Sequence, residues 1–126
     1  MSDGARHGGL VLRAAGKMYF APIAIVVKVV SAPRVEPIPG APPALAGVAL
    51  VDGEAIPVLT LGPGRGPMLV ATWLGERLGL VGLDPVASGT FPTDPASPQG
   101  VIHAGEPVPA LDLAELYATV QRSPWA

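Results

Sequence analysis

Gly47-Val48-Ala49-Leu50-Val51-Asp52-Gly53-Glu54-Ala55-Ile56-Pro57-Val58-Leu59-Thr60-Leu61 decides how the rest of this 126-residue chain is read. Two apolar runs flank Asp52-Gly53. A two-residue Asp-Gly loop in that setting signals a β-hairpin, because both turn residues must accept positive φ. The arms are rich in Val, Ile and Leu with little polar alternation, so the hairpin is expected to be covered on both faces near the centre of a fold. Pro57 cannot donate to a ladder, which puts it at a bulge or an edge.

The same device recurs along the chain. Ala15-Gly16-Lys17, Leu74-Gly75-Glu76 and Ala104-Gly105-Glu106 each set a glycine and then a charge between apolar runs, as Asp52-Gly53-Glu54 does. Glycine supplies the positive φ of a tight turn, and the charge starts the returning strand in solvent. Four hairpins imply about eight strands in a short chain, which favours small barrels over a sandwich or a parallel sheet. Glu76 to Thr90 is expected to return as one long or bent strand, with Pro85 at a bulge or at a change of barrel. Three prolines make Pro92 to Gly100 a surface loop. Gly62 to Pro67 joins two strands as a mobile connector; Pro63 and Pro67 remove amide donors that a phosphate-binding loop would need.

A helix is expected at the end of the chain. Leu113, Leu116, Tyr117 and Val120 follow the i, i+3, i+4, i+7 rule, Asp112 and Glu115 resemble a capping box, and Pro124 stops the run. Polar residues 1–8 read as a disordered leader and residues 123–126 as a tail, leaving a single domain over residues 9–122.

Gly-Val-x-x-x-x-Gly-x-x-x-Pro-Val-x-x-Leu, starting at Gly47 and preceded by Pro42 and Ala44-Leu45, resembles the central hairpin of the CheW family, the coupling proteins of bacterial chemosensory systems. Tyr19 to Val29 is similar to the family's second strand and the short helix after it. Gly79-Leu80-Val81-Gly82-Leu83-Asp84-Pro85-Val86 resembles its "vgllVDeV" segment, and Ala110-Leu111-Asp112-Leu113 its closing "iLDl". The resemblance implies a mainly β fold of two small SH3-like five-stranded barrels sharing a core, with a short helix after strand 2 and a C-terminal helix. The run Ile23 to Val30 is dense in β-branched residues, which favours a strand. The family pattern implies a helix there, for which Pro22 suits the N1 position, and the helix is the expectation adopted. Ser31 to Pro43, with five prolines, is extended, with at most a short strand around Val35 to Ile38. Its Pro39-Gly40-Ala41-Pro42 matches a PxxP ligand, but the family carries a comparable loop.

The resemblance also implies a function. CheW-like proteins are non-enzymatic adaptors that dock the cytoplasmic tip of a chemoreceptor and the regulatory domain of a CheA-type histidine kinase. Carried over, the partner-binding residues are Val26, Val27, Lys28 and Val30 in the receptor-facing segment, with Asp52 and Glu54 at the hairpin tip. This chain departs from the pattern where the family has Asn, Arg and Asp, carrying Leu50, Asp52 and Thr60, and it has Lys28 where an acidic residue is usual. Two charges are therefore reversed. Either they swap partners within one internal ion pair, or they retarget the surface: a full coupler and an accessory that has lost its kinase face both stand. The Ala, Gly and Pro richness suits a high-GC bacterium with several chemosensory systems, a Frz-type motility pathway among them.

Composition bounds the alternatives. There is no cysteine, so disulfides and thiolate chemistry are excluded. A net charge of −2, with the basic residues scattered, gives no footprint for nucleic acid. The longest apolar run contains Pro22 and Lys28 and falls short of the ~20 residues needed to span a bilayer; a cytoplasmic location is expected, clustered with receptor arrays if the resemblance holds. His7 and His103 stand apart with no elbow motif or metal-ligand spacing, so no metal, cofactor or catalytic residue is assigned. Charged residues make up 14% of the chain, below the average of about 25%, and apolar ones 49%; exposed apolar patches, and hence interaction surfaces, are expected. The rival reading is a small β-barrel module for a peptide or ligand outside chemosensing.

Overall fold

In the computed structural model, residues 5–31, 33–63 and 66–121 are described. Eleven strands and one helix follow in the order β1 (Arg6–Ala14), β2 (Lys17–Pro22), β3 (Val26–Val30), β4 (Val35–Glu36), β5 (Leu45–Val51), β6 (Glu54–Thr60), β7 (Met68–Trp73), β8 (Glu76–Val81), β9 (Asp84–Asp94), β10 (Ser97–His103), β11 (Glu106–Val108) and α1 (Leu113–Gln121). All four Gly-charge signatures are two-residue turns. Ala15/Gly16, Asp52/Gly53, Leu74/Gly75 and Ala104/Gly105 have φ near +52° and +80° in every pair, the left-handed geometry that matches the twist of the flanking strands.

The strands form two sheets, β11-β10-β9-β1-β2 and β3-β7-β8-β6-β5-β4. The first closes on itself: Phe20 of β2 donates its N–H to Pro109 O and accepts from Leu111 N–H, both at 2.8 Å. The second must curl, because Val30 and Val35 at its two edges are five residue steps apart. Those steps span at most about 18 Å, against about 24 Å across a flat six-stranded sheet. Two small barrels therefore stand as expected, one of five strands and one of six, the sixth being the two-residue β4. Pro57 sits in β6 just before β8 pairing begins at Val58, so its missing N–H faces no neighbour on that side.

Residue type sorts the core into three layers. Val11, Phe20, Phe91, Val101 and Val108 fill the first barrel. Ala49, Val51, Ile56, Val58, Met68 and Val70 fill the second. Between them lies a layer built almost wholly of leucine, including Leu10, Leu12, Leu59, Leu69, Leu80 and Leu113. The period-2 geometry of a strand explains how one run serves two layers: in β7, Met68 and Val70 point into the barrel while Leu69 and Ala71 point to the shared layer.

The chain crosses from one barrel to the other at 23–25 and returns at Gly82-Leu83. At the return, Gly82 has φ +77°, and a Cβ there would run into the Gly62 backbone. Pro85 flanks a register shift in the β1–β9 ladder, as its position suggested.

Four expectations are corrected. The segment after β2 is a turn, with Ile25 N–H donating to Pro22 O, and then strand β3; β-branched residues fit the pleat, and β7 offers them a ladder. Residues 6–8, expected in a leader, belong to β1, which begins at Arg6, whose Nη2 donates to Thr90 O at 2.8 Å. Its tie to the fold lies 84 residues away, which local polarity could not signal. Pro92 to Gly100 is the β9–β10 hairpin, turned by Asp94 accepting from Ala96 N–H at 2.9 Å. The central hairpin is covered on both faces only at its base, where Leu45 and Leu59 enter the leucine layer and Val58 the second barrel; toward the tip one face is open, and Leu50 is 74% exposed. The expected helix forms, with Asp112 Oδ1 accepting from Glu115 N–H at 3.0 Å. Residues 1–4 of the leader, Gly64 and Arg65 of the connector, and the tail 123–126 with Pro124 lie outside the described residues.

Candidate partner-binding face

The strand β3 carries most of the candidate residues, and a bulge distributes them. Val26 pairs with Ala71, but the next pair is Lys28 with Val70, so Val27 is the extra residue. The bulge switches faces. Val26 is half-buried against the leucine layer and Val30 against the second barrel's interior. Val27 and Val29 are 39% and 43% exposed.

Lys28 lies on the same side of β3 as Val30, and so does its ladder partner Val70 on β7. Two residues further along β7, Thr72 pairs with Arg77 of β8, which brings Arg77 to the same mouth of the barrel. The β5–β6 turn closes that mouth. Lys28 Nζ donates to Asp52 Oδ1 at 2.9 Å and to Oδ2 at 2.8 Å, and Arg77 Nη1 stands 3.7 Å from Oδ2. The hydrogen bond from Lys28, its charge and, more weakly, the charge of Arg77 hold the Asp52 carboxyl below its ordinary value of 3.8. The two reversed charges are thus partners of each other. Glu54 follows, exposed, opposite Val51.

Val29, Leu50 and Arg77 also belong to this surface and escaped the sequence reading. Val29 follows from period-2 alternation once the segment is a strand, and Leu50 from the same alternation in β5. Arg77 had no local signal, because its place depends on the β7–β8 register. The ion pair ties the exposed strand residues Val27 and Val29 to the hairpin arm that carries Leu50. Leu74, 82% exposed, stands on the neighbouring turn beside a groove of about 390 Å³ lined by Trp73, Glu76, Ala114, Tyr117 and Ala118.

Among the described residues no polar or charged side chain is buried, and no group of His, Asp and Glu is spaced to hold a metal ion. Raising a carboxyl pKa for acid–base work needs desolvation or a close like charge, and Asp52 is shifted the other way. His7 and His103 pack edgewise or tilted against Phe20 and Phe91, and His7 Nε2 lies 2.9 Å from Pro98 O. No described helix is long and apolar enough to cross a membrane.

Comparison with known proteins adds three findings. Residues 8–63, from β1 through the Lys28–Asp52 pair to the end of β6, match the family model for the CheW-like domain. Among curated proteins none matches the sequence. Among solved structures, the chain is similar to the scaffolding protein TtCheW from Thermoanaerobacter tengcongensis, at 21% identity and a TM-score of 0.73 over 90% of this chain and 88% of that one; at that identity the likeness speaks for the fold.

Proposed function

We propose that this chain, which matches the CheW-like domain over residues 8–63, is a non-enzymatic adaptor of a bacterial chemosensory complex, linking a chemoreceptor's cytoplasmic tip to the regulatory domain of a CheA-type histidine kinase. The observation that carries the reading is that the strand and the hairpin joined by the Lys28–Asp52 pair both bear exposed apolar side chains, Val27 and Val29 on β3 and Leu50 on β5. Apolar anchors within a charged rim suit docking, where a few residues supply affinity and the rim governs encounter and partner choice. Val26 and Val30 serve from beneath, as supports packed into two different cores. The fit to a protein described as a scaffold points the same way.

Calorimetry of the purified chain against two fragments from its own genome, the receptor tip and the kinase's CheW-like domain, tests this. Binding to both is expected, with Leu50→Asp weakening at least one of them by about tenfold or more, the effect of losing a central anchor. Binding to neither would overturn the adaptor reading. Binding to the receptor alone would make the chain an accessory that has lost its kinase face.

A further inference from the structure

The helix α1 meets the β7–β8 turn along a groove that no described element fills. On the helix side it is lined by Ala114 and Ala118, four residues apart and so on one face, with Tyr117 beside them. On the sheet side stands Trp73, with Leu74 and Glu76 from the turn, and Glu76 is the one charged residue of the lining. Alanine methyls opposite an indole leave a slot of about 390 Å³ where a larger helix side chain would have closed it.

The sequence carries a matching side chain a few residues away. The helix ends at Gln121, and Arg122-Ser123-Pro124-Trp125-Ala126, outside the described residues, come next. Four residue steps separate Trp125 from Gln121, and they span at most about 14 Å. Ala118 and Ala114 stand three and seven residues before Gln121, about 4.5 and 10.5 Å back along the helix axis. A chain that doubles back therefore brings Trp125 to the slot. Pro124 cannot continue a helix, and a proline just past a helix end is where such a reversal is common. Charge agrees with this direction: Glu76 has no ion-pair partner among the described residues, and Arg122 begins the segment.

We infer that this groove is the seat of the chain's own segment 122–126, with the Trp125 indole between the two alanines and Trp73, and Arg122 on the side of Glu76. Tethering favours this occupant over any free one. A short flexible tether presents its ligand at an effective concentration of about millimolar, and a competing partner would have to displace it. The segment then clamps α1 from outside while Leu113 and Leu116 hold it to the leucine layer from within.

The chain holds two tryptophans, so fluorescence reads the seat directly. In a Trp73→Phe variant, which leaves Trp125 as the single indole, emission is expected to be blue-shifted and protected from acrylamide. Ala118→Glu, which obstructs the slot, should abolish both, and Ala114→Gln provides a second obstruction at the exposed end of the helix should Ala118→Glu disturb it. In the parent background, Trp125→Ala should raise the unfolding constant in urea by about tenfold, as for one partly buried aromatic. Ala118→Glu should add little once Trp125 is gone, because the two substitutions remove one contact. An indole as open to quencher as in the urea-unfolded chain, or additive effects of the two substitutions, would overturn the inference. Protection that grows with protein concentration would seat Trp125 in the groove of a second copy and overturn it too. No partner enters these measurements, so their outcome is independent of the adaptor reading.

Discussion

The turns at Asp52-Gly53 and Leu74-Gly75 lie at the same end of the second barrel and share one backbone, with φ of 51° and 81° in the first and 52° and 82° in the second. Their first residues have opposite fates. Aspartate tolerates the left-handed region better than other side chains, and its carboxylate is tied to Lys28 and Arg77. Leucine has no such tolerance and is 82% exposed, so neither backbone geometry nor burial accounts for it. In both turns glycine takes the second left-handed position without strain, and the residue before it must bend into the same region. There this chain places a carboxylate that pairs with Lys28 in one turn and an apolar side chain that borders a groove in the other.

The role of glycine is sharpened most by moving to a third position with the same φ. Nothing lies within 4 Å of a Cβ added at Gly75, whereas one at Gly82 would meet the Gly62 backbone where the barrels join. Gly75→Ala is expected to cost about 1 kcal/mol, from conformation alone. Gly82→Ala should cost about 3 kcal/mol or more, because backbone must move against backbone. Urea denaturation measures both. Equal costs would mean that the junction yields freely, and that only φ distinguishes glycine in this fold.

That contrast also marks what the sequence could disclose. The four turns were legible because a glycine followed by a charge is a local chemical requirement. The terminal helix was legible for the same reason, through Asp112 and the spacing of its apolar residues. The strand β3 was legible in its β-branched residues, but the family template for a helix took precedence, and with it went Val29, which only a strand turns outward. Lys28 and Asp52 were singled out together, yet their pairing depends on a bulge at Val27 that no local pattern announces. Arg6 and Arg77 were illegible for a simpler reason: their partners are brought to them by ladders formed far away in the chain.

A smaller effect tests whether Leu74 is held for the fold. Asn-Gly is the preferred pair for this turn, and removing a leucine from the left-handed region should recover about 1 kcal/mol. Leu74→Asn is therefore expected to raise the melting temperature by about 4 °C. A fall instead would show that contact with the Trp73 and Tyr117 groove outweighs the strain, and that the two turns differ in packing rather than in freedom.

The smallest effect concerns the other turn and is read by titration. Because the folded-state pKa of Asp52 is depressed, its contribution to stability is present above the ordinary value of 3.8 and is lost as pH falls through the lowered one. Between about pH 5 and 8 the difference in stability between the parent chain and Asp52→Asn should stay flat, shrinking only in stronger acid. The carboxyl carbon of Asp52, followed by NMR, should titrate below 3.8. Lys28→Met should return it most of the way, since Lys28 supplies both the hydrogen bond and the larger charge effect, and Arg77→Met should move it little. If Arg77→Met moved it as far as Lys28→Met, the carboxylate would be shared evenly between β3 and β8. The hairpin tip would then be held midway between those strands rather than by β3 alone.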